Sequence, residues 1–328
     1  MSQDFTKDLI WTELEKYVKK QIDSGLSNDE IQAKIEAIGT GKVVTTVIEQ
    51  ISNDCISSIY ENMYERVMAE RNKTAKFIIH NEQLWQSGFV ASEMMYLIVI
   101  ESAEAYCKIF DELTDGQKRE RQYRYTVLRE LHGRACQEFL EILCLLKSGF
   151  ADGAYARWRS MYELSIVAQF IRQNDETVAK AYYEGSLADE KEYEWAKVAP
   201  CFVGKKSVTF RMIQQQCDMA TDQWQKQYRL SCKVLHAAPQ STFARLGSPA
   251  NAKVVAIGHS DYGIATPAIN SAITLAIISS FHRFSSIFLS SGDGTVYSYV
   301  TTKWLEKIRE RYSEIEKNCF NGNDATTY

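Results

Sequence analysis

The segment from Gly149 to Phe170 constrains the fold more than any other part of the chain. Its sequence, GFADGAYARWRSMYELSIVAQF, places apolar residues at helical spacing on more than one side, as is typical of a helix at the centre of a bundle. Gly149 is suited to end the preceding helix, and Asp152 is placed to cap the free amides of the new first turn. The segment therefore predicts a central helix with an abrupt start.

The same helix carries three charged residues in its middle: Arg157, Arg159 and Glu163. Arg159 and Glu163 are four residues apart, a spacing that lets their charged groups meet on one face of a helix. Charged side chains are rarely buried unless they are paired, hydrogen-bonded or functional. Two interpretations of this pair stay open: a structural ion pair that fixes the helix register, and a role in an active site.

The remainder of the chain also has helical periodicity, which predicts helices at residues 175–196 and 207–236 among others. The 328 residues include only 4 prolines and 16 glycines, and the pattern Ser27-Asn-Asp-Glu30 is a capping box that predicts a helix start. We predict an all-α, multi-helix bundle with an N-terminal helical extension and one long irregular loop, residues 237–265, before the penultimate helix. The predicted organisation is an N-terminal helical module at 1–75, a bundle core at 76–317 and a disordered tail at 318–328, with the first boundary inside residues 65–76.

Composition excludes several classes of protein. The net charge of −4 gives no overall electrostatic reason to bind nucleic acid, although a local basic patch is compatible with it. Eight cysteines without a C-x-x-C pair favour reduced thiols over disulfides or a zinc site, and none of the five histidines follows a glutamate by three residues. The N-terminal residues lack the apolar run of a signal peptide, and the run from Ile269 to Phe281 is too short to cross a bilayer. We therefore expect a soluble, cytoplasmic protein without a metal, a cofactor or a membrane partner.

A second segment, YRLSCKVLH, contains an arginine and a histidine at the predicted end of a helix. Arg229 and His236 are seven residues apart, which is about two turns, so their side chains project from nearly the same face. An imidazole beside a guanidinium is a minimal set for metal-free phosphodiester cleavage: the histidine moves the proton, and the arginine offsets the charge that develops on phosphorus. The alternative is an exposed helix end at which neither residue has a chemical role.

Two sequence blocks carry a family resemblance. The first is GFADGAYARWRSMYEL from Gly149, followed by Phe170-Ile and Ala181-Tyr-Tyr, and the second is YRLSxxxLHA from Tyr228, with Gly247 and Gly263 in the following loop. Together they resemble a large bacterial family of all-helical proteins known only as a domain of unknown function. The second block is also similar to the R-x(4–6)-H motif of HEPN-type proteins, helical bundles that often act as dimeric, metal-independent ribonucleases in toxin–antitoxin and phage-defence systems.

The HEPN resemblance implies a function and a set of site residues. It implies a homodimeric endoribonuclease, a toxin or phage-defence effector, in which Arg229 and His236 are the catalytic pair acting on RNA. The residues that would line or brace the pocket are Arg157, Arg159, Glu163, His132, Tyr228 and Ser231. The alternative is a non-catalytic helical interaction or sensor module of a defence or regulatory system, in which Arg159 and Glu163 form a structural pair and the N-terminal helices bind a protein partner.

Overall fold

The chain folds into α-helices joined by turns and short 3-10 segments. The computed structural model describes residues 12, 15, 16, 18–37, 39–188, 192–219, 221–235, 239–243, 245–248, 257–283 and 292–320. The α-helices are α1 Asn28–Ala37, α2 Gly39–Asp111, α3 Asp115–Arg119, α4 Gln122–Lys147, α5 Ala151–Gln173, α6 Glu176–Gly185, α7 Phe210–Gln214, α8 Asp222–Leu235, α9 Pro239–Phe243, α10 Ala265–Arg283 and α11 Gly292–Cys319. These ranges contain no strand, so the predicted all-α fold is confirmed for them.

The chain divides into two compact units, residues 1–74 and 75–328. In the first unit, α1 begins with the predicted capping box: the Ser27 amide donates to Glu30 Oε2 at 2.8 Å, and the Glu30 amide donates to Ser27 Oγ at 3.4 Å. The division falls within α2, which is helical throughout residues 65–76. In the second unit α11 continues to Cys319, and residues 321–328 of the predicted tail lie outside the described ranges.

Helix α5 lies at the centre of the core of the second unit, as the sequence predicted. It packs against α4, α8 and α10, and α10 also packs against α4 and α11. Trp158, in the middle of α5, is fully buried and stacks on Tyr155 and Trp224, with ring centroids 5.1 and 5.8 Å away. Its indole N–H donates to Thr274 Oγ1 on α10 at 3.0 Å, so the one polar atom of this ring has a partner inside the core.

Two predicted helices are shorter than their sequence patterns indicated. The helix predicted at 207–236 is divided into α7 and α8, because the turn between them is hydrogen-bonded to α5. There the Met219 amide donates to Gln169 Oε1 at 3.2 Å, and the buried Cys217 thiol contacts the Ile166 carbonyl oxygen at 3.5 Å. The helix predicted at 175–196 ends at Gly185, and the 3-10 segment Glu194–Val198 follows it. In the first of these places tertiary contacts outweigh local helix propensity.

The start of α5 binds the irregular loop. Gly149 ends the preceding helix as predicted, with a φ of 77°, but the prediction that Asp152 caps α5 is wrong. Phe150 is the N-cap residue, and the Asp152 carboxylate instead accepts hydrogen bonds from the backbone amides of Leu246 and Gly247, at 3.0 and 3.2 Å. Asp152 lies within the first turn, where the helix dipole favours an anion and where its carboxylate can still reach another segment. A side chain predicted to act locally therefore fixes the loop to the central helix.

Candidate functional site

Of the predicted catalytic pair, the structure describes only Arg229, which lies in the middle of α8. Arg229 is exposed on this helix, and His236, the residue after its last turn, lies outside the described residues. Lys226 and Lys233 are also exposed, three residues before and four residues after Arg229, so the three cations share one face. We call Lys226, Arg229 and Lys233 the basic ridge. Its side chains form no ion pair with the residues that the structure describes.

The opposite side of α8 faces α5 and carries Tyr228. The Tyr228 hydroxyl donates to Glu163 Oε1 at 2.6 Å, and Arg159 Nε donates to the same oxygen at 3.0 Å, which confirms the predicted pairing of Arg159 with Glu163. The Arg159 guanidinium carbon lies 5.5 Å from the centre of the Tyr228 ring, within the range of a cation–π contact. Ser231 is fully buried, and its hydroxyl donates to the Tyr228 carbonyl within the helix. The structure therefore brings together Arg159, Glu163 and Tyr228.

Two aromatic residues that sequence reasoning missed adjoin this group. The Phe210 ring lies 5.7 Å from Tyr228 and 6.4 Å from Tyr193, measured between ring centroids. Tyr193 precedes the 3-10 segment, and the charges of Glu163 and Arg159 both act on its hydroxyl. We call Arg159, Glu163, Tyr193, Phe210 and Tyr228 the Glu163 cluster. Apart from the four-residue spacing of Arg159 and Glu163, no local sequence signal joins its members, because the others come from α7, α8 and the residue before the 3-10 segment.

Electrostatics keep the phenols of this cluster neutral. Burial, together with the hydrogen bond to Glu163, raises the pKa of Tyr228 well above its ordinary value of 10.0. Burial and the hydrogen bond to Glu192 raise the pKa of Tyr193 in the same direction. Both side chains therefore stay hydroxyl donors at neutral pH: Tyr228 donates to Glu163, and Tyr193 donates to Glu192.

The other predicted pocket residues face different helices. His132 is buried on α4, and its Nε2 lies 2.9 Å from Ser279 Oγ on α10. Arg157 pairs across the α4–α5 interface with Glu138 at 3.3 Å and with Glu141 at 2.5 Å. No described contact joins His132 or Arg157 to the Glu163 cluster. The predicted site residues thus fall into three groups: the basic ridge, the Glu163 cluster and the α4 interface.

Glu138 is a third residue that the sequence interpretation overlooked. Its side chain is 1% exposed, and Oε1 accepts hydrogen bonds from Arg134 Nε and Ser160 Oγ, each at 3.0 Å. Oε2 is buried without a hydrogen-bond partner among the described residues. Burial raises the pKa of this carboxyl, although the charges of Arg157 and Arg134 act in the opposite direction. The spacing of four residues from Arg134 was the available sequence signal.

Among the residues that the structure describes, no group of three or more histidine, cysteine, aspartate or glutamate side chains is arranged to hold a metal ion. None of the described helices combines the length and the apolar character that spanning a bilayer requires.

Comparisons with known proteins find a family match over part of the chain and no match that indicates an activity. No curated protein and no solved structure matches the chain. The model of a family of unknown function, DUF5677, matches residues 125–219. This range contains α5 and all of the Glu163 cluster except Tyr228, and it ends before α8. The predicted resemblance to a family of unknown function is therefore supported over residues 125–219.

Proposed function

We propose that the chain is a metal-independent ribonuclease of the HEPN type, in which Arg229 and His236 act on RNA. The observation that carries this proposal is the basic ridge, an exposed line of three cations on the helix that leads directly to His236. Cations three and four residues apart on one helix face suit successive backbone phosphates. The HEPN resemblance adds a homodimer and a role as a toxin or phage-defence effector. The cysteines, all free thiols, are compatible with a cytoplasmic location.

The proposed reaction is an intramolecular transfer at phosphorus. The 2′-hydroxyl oxygen attacks the adjacent phosphorus, the bond to the 5′-oxygen breaks, and a 2′,3′-cyclic phosphate and a 5′-hydroxyl form. The proton leaves the 2′-hydroxyl and one proton is delivered to the departing 5′-oxygen, with His236 serving in one of these transfers. Arg229 offsets the negative charge that develops on the phosphoryl oxygens.

Cleavage of a labelled single-stranded RNA in the presence of EDTA tests the proposal. We expect the wild-type chain to cleave the RNA, and His236→Ala to lower the rate by about 100-fold or more, the usual contribution of a general acid or base. Arg229→Gln should lower the rate by about 100-fold, because the guanidinium stabilises charge in the transition state. The matched control is Lys206→Gln, which removes an exposed cation outside α8 and should leave the rate within about twofold. Equal rates for His236→Ala and the wild type would refute the assignment.

A second candidate function is a non-catalytic interaction module. It is favoured by an exposed apolar stripe on α2 in the first unit, where Ile56, Ile59, Met63 and Val67 are spaced three or four residues apart. If this stripe joins two copies of the chain, Ile59→Asp with Met63→Asp converts an oligomer to a monomer in sedimentation experiments, and His236→Ala leaves the oligomer unchanged. A wild-type chain that is monomeric at micromolar concentrations would contradict association of two copies through this stripe.

A further inference from the structure

We infer that the Glu163 cluster is a nucleobase-binding subsite that selects guanine in the RNA substrate. This inference rests on the proposed function, because it assigns a base to the substrate of the proposed ribonuclease. It goes beyond that function by giving hydrogen-bonding and stacking roles to residues outside the catalytic pair. Four observations carry it, and each concerns a group that is at least partly exposed.

The first observation is a carboxylate oxygen that is free to accept. Glu163 is 33% exposed, and its Oε1 is occupied by the donors of Tyr228 and Arg159. Its Oε2 accepts no hydrogen bond from the residues that the structure describes, and it is not among the buried atoms that lack a partner. A carboxylate oxygen has two acceptor positions, so Oε2 can receive N–H donors from a ligand.

The second observation is a set of unused donors beside that acceptor. Arg159 is 30% exposed, and the hydrogen bonds described for it use only Nε. Its two terminal nitrogens are therefore able to donate to a carbonyl oxygen of a ligand. Because Nε is held by Glu163 and the guanidinium lies over the Tyr228 ring, the orientation of these donors is fixed in advance.

The third observation is the aromatic surface around the two polar groups. Tyr193, Phe210 and Tyr228 are all half-buried, so each ring keeps part of its surface accessible. Bases of single-stranded RNA are recognised by stacking on aromatic rings and by hydrogen bonds to their Watson–Crick edge. An aromatic surface next to an acceptor and a donor has the composition of such a site.

The fourth observation is the order of donor and acceptor. The Watson–Crick edge of guanine presents one carbonyl oxygen, O6, followed by two N–H donors at N1 and N2. Arg159 donates and Glu163 Oε2 accepts, so the cluster complements this edge. Adenine lacks the carbonyl, and uracil and cytosine each present only one donor position there. A site built to accept two donors rejects a base that lacks one of them.

The position of the subsite agrees with the proposed reaction. Tyr228 precedes Arg229 in the chain, so a single helix presents the cluster on one side and the basic ridge on another. A base held by Glu163 and Arg159 would keep its own phosphate near α8. The subsite would then determine the residue at which the RNA is cut.

Nucleotide binding to the full chain tests the inference without requiring cleavage. The probes are GMP, IMP, which lacks the N2 amino group, and AMP, and the readout is tryptophan fluorescence, because Trp224 stacks on Tyr162 beside Tyr228. We expect the wild type to bind GMP at least 10-fold more tightly than AMP, with IMP between them. Glu163→Gln, which keeps the shape of the side chain, should weaken GMP binding about 10-fold and leave AMP binding unchanged.

The controls separate the subsite from the fold and from catalysis. Glu141→Gln alters a partly exposed carboxylate on α4 and should leave GMP binding unchanged. Equal affinity of the wild type for GMP and AMP, or an unchanged GMP preference in Glu163→Gln, would overturn the subsite. RNA cleavage without preference for guanine would overturn the subsite but not the ribonuclease assignment. A preference for GMP without RNA cleavage would support the subsite and overturn the ribonuclease assignment.

Discussion

Glu138 and Glu163 show how two glutamates near the same helix acquire different properties. Glu138 is 1% exposed and bonded to donors from its own helix and from α5, whereas Glu163 is 33% exposed and its Oε2 accepts no hydrogen bond from the described residues. A buried ion pair gains Coulomb energy but loses hydration, so its net effect on stability is small. Glu138 is therefore best understood as a structural group, and Glu163 as one that a ligand can reach.

The Glu138 position allows a sharp comparison of two substitutions. Glu138→Gln should leave the free energy of unfolding at pH 7 within about 1 kcal/mol of the wild type, because a neutral side chain of the same shape avoids burying a charge. Glu138→Ala should lower it by about 2 kcal/mol, because it removes the acceptor of Ser160 and leaves a cavity. Guanidinium chloride unfolding measures both values. A loss of free energy of unfolding in Glu138→Gln as large as that in Glu138→Ala would contradict this account.

The pH dependence of stability gives an independent test at the same residue. Burial raises the pKa of Glu138 above its ordinary value of 4.5, so the folded state holds this proton more tightly than the unfolded state. The ionised carboxyl then lowers stability above the folded pKa, and this cost disappears as the pH falls through that pKa towards 4.5. We expect the wild type to gain stability relative to Glu138→Gln as the pH falls from 7 to about 4.5, measured by unfolding at a series of pH values. A loss of wild-type stability relative to Glu138→Gln over this pH range would show that folding lowers the pKa of Glu138.

At the scale of elements, the start of α5 depends on the close approach of Gly149 to Phe77 and to the loop at Ser260. Gly149 has a left-handed φ, and a Cβ there would lie 2.6 Å from Phe77 Cε1 and 2.8 Å from the Ser260 nitrogen. The Gly149 carbonyl accepts the Ser260 amide at 3.0 Å, and His259 stacks on Phe77. The glycine is therefore required both for its backbone angle and for the close approach of the loop.

Alanine substitutions at two nearby glycines should have opposite effects. Gly149→Ala should lower the free energy of unfolding by about 2 kcal/mol, the sum of a strained backbone and two close contacts. Gly153→Ala is the matched control, because this exposed glycine lies inside α5 and its added Cβ would meet nothing closer than 3.8 Å. Gly153→Ala should raise the free energy of unfolding by about 0.5–1 kcal/mol, because alanine has a higher helix propensity than glycine. Thermal and denaturant unfolding of both variants measure the difference, and a stabilised Gly149→Ala would contradict it.

The sequence predicted the helices and their local contacts better than it predicted contacts between residues far apart in the chain. The helical character of α5, the Gly149 break and the Arg159–Glu163 pair follow from periodicity and from spacings of four residues, which are local properties. The role of Asp152 was misassigned because its partners are 94 and 95 residues away. Tyr193 and Phe210 join the Glu163 cluster only through packing, so no spacing along the chain could have indicated them.

At the scale of the whole molecule, the large hydrophobic core belongs to the second unit. The described members of this core extend from Trp85 to Ile315, and the tryptophans at 85, 158, 195, 224 and 304 belong to it or pack against it. Residues 1–74 form the other unit and contribute none of these side chains. The cooperative stability of residues 75–328 should therefore come from within that unit.

Truncation tests this assignment. A chain beginning at Ala75 should unfold in a single cooperative transition, with a free energy of unfolding within about 2 kcal/mol of the full chain, because it keeps the whole core. Tryptophan fluorescence in denaturant measures the transition. The matched control begins at Glu93, removes Trp85 and Phe89, and should lose cooperative unfolding. Failure of the chain from Ala75 to unfold cooperatively would show that the first unit supports the core.

The link between Asp152 and the loop has a consequence for biosynthesis. The first turn of α5 emerges from the ribosome long before the amides of Leu246 and Gly247 have been translated, and before Ser260 can bind the Gly149 carbonyl. About 100 further residues must therefore be translated before the N-terminal end of the central helix can bind its partners. At ordinary elongation rates this takes several seconds. During that interval the nascent polypeptide exposes the aromatic surface of α5 around Tyr155, Trp158 and Tyr162, which is where a chaperone would be expected to engage it.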